Sequence, residues 1–191
     1  FMLHRVRHAM DETDIEPLNG IVEVDEAFIG GVPRRIHGSR QTIRKQKAIV
    51  VGLRERNGRV RPKIVADVTA KTLKSVIAEN VRPGTRIMTD DWSGYRGLKH
   101  EGWHHESVKH SMYEYVRGDV HTNSIEGFFG MLKRGLNGIY HSVSKKHLHR
   151  YLSEFQFRHN NNELTDGQRV IAAIKAAQGK RLTYAEQVGV G

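Results

Sequence analysis

The chain has 191 residues, 38% of them hydrophobic, which is enough for one sizeable core, and its 31 Lys and Arg against 21 Asp and Glu give a formal charge of +10. That balance suits a protein that meets a polyanion, nucleic acid above all. The absence of cysteine excludes a disulfide framework and a thiolate zinc site and fits a reducing compartment, with the cytoplasm as the expectation. No apolar run approaches the roughly 20 residues of a membrane span, and the first ten residues are too charged for a signal peptide.

In chain order, Phe1–Met10 has the spacing of a short amphipathic helix and reads as the end of a truncated upstream region, followed by a polar link containing Pro17. Ile21–Ile29 is the first strand: Val22, Val24 and Phe28 alternate with Glu23, Asp25 and Ala27, and Gly30-Gly31 ends it. Burying an ionised carboxylate costs several kcal/mol unless it is paired or metal-bound, so Asp25 either faces solvent or belongs to a site. The segment 32–47 holds six Lys or Arg and no acid. It reads as a loop placed to contact phosphates through Arg34, Arg35, Arg40, Arg44 and Lys45.

Ala48–Arg54 and Val60–Val68 read as two strands joined at the turn signal Asn57-Gly58, which makes a three-stranded meander with the first. Thr69–Asn80 is a helix with Leu73, Val76 and Ile77 on its apolar stripe, Thr69 as cap and Pro83-Gly84 beyond its end. Arg86–Thr89 is a short buried strand running into Asp90-Asp91, and His104–Val108 is a fifth strand. His121–Gly135, H-T-N-S-I-E-G-F-F-G-M-L-K-R-G, begins a helix with Thr122 or Asn123 as cap, and Gly135, Gly138 and Tyr140 are expected to break it. Two turns span about 7.2 residues, so Glu126 and Lys133 share a face. Ser144–Asn160 is strongly amphipathic, and Thr165–Gln178 is a last helix with Val170, Ile171 and Ile174 inward. Residues 180–191 show no strong pattern and are expected to form a flexible tail. With Ser93–Lys99 as a short helix or turn, the order of three strands, helix, strand, helix, strand and a late helix makes an α/β fold of ribonuclease H-like type, a mixed sheet with helices on both faces.

Acids fall on the first strand, after the fourth and on the late helix. Phosphodiester cleavage and transfer need an activated oxygen nucleophile and stabilisation of the departing oxygen, and two divalent ions about 3.5–4 Å apart supply both. Carboxylates are the ligands Mg²⁺ accepts, so Asp25 could bridge two Mg²⁺ or Mn²⁺ ions, with Asp90 completing one and Glu126 the other. The twelve histidines offer no H-E-x-x-H pair. His110 and His121 flank the loop before the Glu126 helix and are expected to be satisfied structurally. Trp92 and Trp103 are candidates for stacking on bases, with core packing expected for at least one. There is no P-loop and no G-x-S-x-G elbow, which removes the usual ATPases and serine hydrolases.

The segments V-D-E-A-F-I-G-G, T-D-D-W-S-G-Y, H-T-N-S-I-E-G-F-F-G-M-L-K-R-G and Y-H-S-V-S-K-K-H-L-H-R-Y-L-S-E-F-Q-F-R-H-N resemble the transposase domain of bacterial insertion-sequence transposases, the ISXO-like group. The resemblance covers most of residues 20–162. It implies a DDE-type triad of Asp25, Asp90 and Glu126 as ligands of two Mg²⁺ or Mn²⁺ ions, and Lys133 as a basic catalytic residue near a phosphate of the end DNA, with Arg134 beside it. Asn123 is an alternative third ligand, because some members have Asn there. Asp91, where the family more often has a small residue, is an alternative second ligand; strand neighbours point to opposite faces, so only one of the adjacent acids can serve fully.

The expected organisation is 1–19 as an N-terminal helix and linker, 20–162 as the catalytic domain and 163–191 as a C-terminal helix and tail. The expected activity is metal-dependent cleavage of element ends and DNA strand transfer, with DNA as partner and a homodimer or higher oligomer forming on it, and no membrane. A ribonuclease H-fold nuclease that only hydrolyses and a non-catalytic DNA-binding domain are the alternatives.

Overall fold

The structure, a computed structural model, describes residues 1–12, 16–30, 47–108 and 119–188. The chain divides into two compact units: Glu16–Lys145 forms one, and Phe1–Ile15 with Lys146–Gly191 the other.

The larger unit is built on a five-stranded sheet in the order β3-β2-β1-β4-β5. The strands are β1 (Ile21–Ile29), β2 (Ala48–Glu55), β3 (Val60–Val65), β4 (Arg86–Thr89) and β5 (His104–Ser107). β1, β2 and β3 are the expected antiparallel meander. β4 runs parallel to β1 and β5 parallel to β4. The β2–β3 hairpin turns at Asn57, whose φ of 59° is the left-handed conformation that asparagine tolerates. Pro62 lies in β3, an edge strand, where a missing N–H is tolerated. β3 stops at Val65, short of the expected Val68. The residues beyond it leave the ladder for other bonds: the Val68 carbonyl accepts from Trp92 Nε1, and Asp67 Oδ1 accepts from the Thr69 and Thr72 hydroxyls.

Both faces of the sheet are covered. On one, Val22, Val24, Val51 and Leu53 pack with Leu73, Val76 and Ile77 of helix α2 (Ala70–Asn80) and with Ile87, Tyr95, Leu98 and Trp103. Thr69 caps α2 by accepting from the Thr72 N–H. On the other face lies α3 (Asn123–Gly138), which buries Ile125, Phe128, Phe129, Leu132 and Leu136. Strand pairing puts Gly52 opposite Asp25, and a Cβ at Gly52 would lie 2.6 Å from Ile125 Cδ1 and 2.7 Å from Phe129 Cζ. Glycine is therefore what lets α3 approach the sheet beside Asp25. The helix runs through Gly135 and ends at Gly138, the second of the expected break points. Gly135 is buried, and packing of the helix outweighs the roughly 1 kcal/mol intrinsic penalty of an interior glycine. The sheet order, the pairing directions and the two helical layers are those of a ribonuclease H-like fold.

The smaller unit is helical. α1 (Met2–Ala9) is tied to α4 (Leu148–Asn160) by the Arg7–Glu154 ion pair at 2.7 Å, with the Arg7 guanidinium 4.0 Å from the Tyr151 ring centroid. α5 (Asp166–Ala176) begins with a full capping box between Thr165 and Gln168. Val170, Ile171 and Ile174 are exposed rather than inward. Val170 and Ile174 line an open apolar groove with Val6, Ala9 and Phe157. The tail carries a short helix, α6 (Tyr184–Val188).

Candidate active site

Asp25 sits in the middle of β1, half-buried on the face that α3 covers. The parallel register pairs Ile21 with Arg86, Val22 with Ile87 and Glu23 with Met88. Continued by two residues, it sets Asp25 beside Asp90, just past the end of β4. Glu126 comes in on the first turn of α3. The charges of Asp90 and Glu126 both reach Asp25. Burial, the adjacent Glu26 charge, and the charges of Asp90 and Glu126 push the Asp25 carboxyl up to about 7, against the opposing pull of the Glu26 N–H bonded to its Oδ1.

Each carboxylate has a fixed approach. The Asp25 Oδ1 accepts from the Glu26 N–H at 2.8 Å, and the Asp90 Oδ1 accepts from the Trp92 N–H at 3.1 Å. The buried Thr122 hydroxyl donates to Glu126 Oε1 at 2.7 Å. Thr122 is the N-cap position, but its side chain makes no capping bond. Asp91 is exposed, as is Asn123 at the first position of α3. Lys133 and Arg134 are exposed on α3, two turns beyond Glu126. Arg34, Arg35, Arg40, Arg44, Lys45 and His110 lie outside the described residues.

The amides at the start of α3 are satisfied from a distance by a residue the sequence does not single out. Glu23, two positions before Asp25 on the same face of β1, is 0% exposed. Its Oε2 accepts from the Ser124 N–H at 2.8 Å and the Ile125 N–H at 3.1 Å. A carboxylate there meets both the unpaired amides and the positive end of the helix dipole. Its Oε1 accepts from Arg56 Nε and Nη2 at 3.2 and 3.1 Å, with His121 Nδ1 at 3.3 Å. Arg56 also donates to the Asp119 carbonyl at 2.8 Å, and Arg54 Nη1 to the Ser124 carbonyl at 2.5 Å. Glu23 thus clamps the helix that carries Glu126 onto the strand that carries Asp25. The signal in the sequence was its phase, shared with Asp25, together with Arg54 and Arg56 at the end of the neighbouring strand. Below the sheet, the buried Tyr95 hydroxyl donates to Glu26 Oε2 at 2.8 Å. Burial, with the Glu26 charge, holds that phenol well above its usual range.

Among the described residues, no three His, Asp or Glu side chains stand close enough to hold one metal ion. All-oxygen donors suit a hard ion such as Mg²⁺ or Mn²⁺, and a carboxyl raised first by burial and then by neighbouring acids is one that a cation would stabilise in its charged form. His121 is taken up by the Glu23 cluster, and His105 Nε2 lies 2.9 Å from the Thr89 hydroxyl, so both are engaged structurally.

The fold and these acids define an α/β protein of ribonuclease H-like type with carboxylates gathered where its central parallel strands meet the late helix. The chain belongs to the ISXO2-like transposase domain family, whose model matches residues 17–160. It is 30% identical over 101 residues, 53% of this chain and 80% of the relative, to an uncharacterized transposase-like protein of Haemophilus influenzae. It is also 31% identical over 155 residues to an uncharacterized protein in the transposable element ISH50 of Halobacterium salinarum. That match takes in 74% of this chain and 52% of the ISH50 protein, so the chain spans about half of that relative's length. No helix among the described residues is long and apolar enough to cross a membrane.

Proposed function

We propose that the chain is the catalytic domain of a DDE-type transposase that cleaves the ends of its insertion element and joins them to target DNA, acting in the cytoplasm as a dimer or higher oligomer on DNA. The observation that carries this reading is the placement of three acids, Asp25 at the centre of β1, Asp90 just past the end of the parallel strand β4 and Glu126 on the first turn of α3.

In this reading Asp25, Asp90 and Glu126 would together hold two Mg²⁺ or Mn²⁺ ions. Bound Mg²⁺ or Mn²⁺ would supply the Lewis acidity and the activated oxygen that phosphodiester chemistry needs. Thr122 fixes Glu126 through Oε1, the Trp92 N–H orients Asp90, and Glu23 sets the helix against the strand. Lys133, on the face of α3 that bears Glu126, contacts a phosphate of the end DNA and positions it for in-line attack. Arg134 and the basic segment with Arg34, Arg35, Arg40, Arg44 and Lys45 form the rim that draws in the duplex against the repulsion of the acids.

The test is joining of a labelled element end to a plasmid in Mg²⁺. Covalent transfer of label to plasmid is the expected result. Release of short labelled products without joining would instead indicate a nuclease, and binding with neither product a non-catalytic DNA-binding domain.

A further inference from the structure

The two tryptophans have opposite fates. Trp103 is 7% exposed and its Nε1 donates to the Arg82 carbonyl at 3.1 Å, whereas Trp92 is 41% exposed. Trp92 follows Asp90 by two residues, and its own backbone N–H is the donor to Asp90 Oδ1. Its ring is held by the Nε1 bond to the Val68 carbonyl at 3.4 Å. The residue is therefore anchored at both its backbone and its ring nitrogen while much of it remains open to solvent.

Trp92 stands in a groove of about 720 Å³ with Phe28, Ile49 and Val65, a cross-strand row, as apolar walls and Lys47 and Lys145 among its lining. That volume is within the range of organic-ligand pockets. Phe28, Ile49 and Val65 are each partly exposed, so the apolar walls are not merely core. Asp67 is also in the lining, and its Oδ1 is engaged by the Thr69 N–H and the Thr69 and Thr72 hydroxyls. The groove opens at the carboxyl ends of β1, β3 and β4, the end of the sheet where Asp90 lies, but on the face opposite α3. Open α/β sheets use this end for ligands.

An aromatic plane, apolar walls and two ammonium groups match a nucleobase with its flanking phosphates: the base has a π-face for the indole, and the phosphates carry the charge that lysine meets. A paired duplex cannot present that combination, because its bases are stacked inside. We propose that the Trp92 groove receives an unpaired base of the DNA strand processed beside Asp90, stacked on the indole, with Lys47 and Lys145 on the neighbouring phosphates. A strand lying over Asp25 and Asp90 on the α3 side would turn one base across the strand ends into this groove, so the site selects DNA that is frayed or easily opened next to the reacting phosphate. This rests on the DNA-processing reading above and adds a base subsite to it.

The experiment uses the full chain in EDTA, so that no cleavage intervenes, with two probes: an oligonucleotide duplex bearing a short unpaired thymine arm, and the same duplex blunt-ended. Trp92 and Trp103 are the only tryptophans, so emission that responds to DNA reports on the exposed one. The forked duplex should quench it and the blunt duplex should not. Trp92→Phe should abolish the signal and keep the preference for the fork. Trp92→Ala should weaken forked-duplex binding by about tenfold or more, the loss of one base–aromatic stack, and leave blunt-duplex binding unchanged. Lys47→Gln and Lys145→Gln should each lower the salt slope for the forked probe by about 0.7.

Equal quenching by both probes, no quenching, or an equal loss on both in Trp92→Ala would overturn the proposal. So would an emission change with protein concentration alone, which would assign the groove to a second copy of the chain. Mg²⁺-dependent joining by a protein that shows no fork-specific quenching would sink the base subsite alone, and fork-specific quenching without cleavage or joining would sink the transferase reading alone.

Discussion

Glu23→Gln is the substitution that most sharply separates a clamp from an ordinary buried acid. The wild-type carboxylate takes two helix amides on Oε2 and Arg56 on Oε1, all within 3.2 Å, and is 0% exposed. Glutamine keeps one oxygen for the amides but turns an NH₂ donor toward the guanidinium, so donor meets donor and the Arg56 charge loses its counter-ion. Losing a charge-assisted hydrogen bond costs about 1.5–3 kcal/mol, and breaking a buried ion pair from one side about 3–5 kcal/mol. Because Arg56 is 18% exposed and reaches some water, a loss of roughly 3 kcal/mol is expected. Urea unfolding followed by circular dichroism measures it. Arg56→Met in the Glu23→Gln background should recover part of the loss, with a coupling energy of about 1–3 kcal/mol. Cleavage should fall further than the folded fraction does, because the helix that delivers Glu126 is released from β1. A loss below about 0.5 kcal/mol, the scale of an ordinary surface change, or strict additivity with Arg56→Met, would refute the clamp.

Two further predictions concern the same region. Gly52→Ala should destabilise the protein by about 1–3 kcal/mol, because the added methyl meets Ile125 and Phe129 at under 3 Å and must push α3 outward; a variant as stable as the wild type in the same urea assay would contradict the close approach. The Asp25 carboxyl ionises near 3.8 in an unfolded chain and near 7 in the fold, so between those values the folded protein holds the extra proton. Its contribution is full below about pH 4 and is lost as pH rises through 7, so the metal-free protein should lose stability over that interval. Asp25→Asn should remove that loss and be the more stable protein at pH 8, by on the order of 2–4 kcal/mol once partial solvent access is allowed for, with no difference near pH 4. Thermal melts in EDTA test this, and a wild-type protein that holds its stability up to pH 8 as well as the variant does would contradict it.

Much of the architecture was legible because local and global signals agree. Alternation gave β1 its full length, and Asn57-Gly58 placed the hairpin. Thr69 began α2, and the hydrophobic run Arg86–Thr89 marked β4. What escaped depends on partners far away in sequence. Glu23 alternates like an outward-facing polar residue, and only the arrival of Arg56 and of the first α3 amides makes it the buried clamp. Thr122 has the chemistry of an N-cap, but with Glu23 already on the amides its hydroxyl turns to Glu126. Gly135 carries the local signature of a helix end and stays helical because the neighbouring Leu132 and Leu136 are buried. Val170, Ile171 and Ile174 have helical spacing, but spacing alone does not say whether anything covers that face, and they are exposed. Asp25 read equally well as a solvated or a functional acid, and what distinguishes it is the company of Asp90 and Glu126, brought by the β1–β4 pairing and by α3.

The most direct measurement of the central claim is single-turnover cleavage of end DNA by the wild type and by Asp25→Asn, Asp90→Asn and Glu126→Gln, in Mg²⁺ and in EDTA, with DNA affinity measured in parallel. Cleavage is expected only in Mg²⁺, with a loss of about a thousandfold, or about 4 kcal/mol of transition-state stabilisation, in each variant and DNA binding retained. Cleavage that persists in EDTA, or an Asp25→Asn protein that cuts as fast as the wild type, would contradict it.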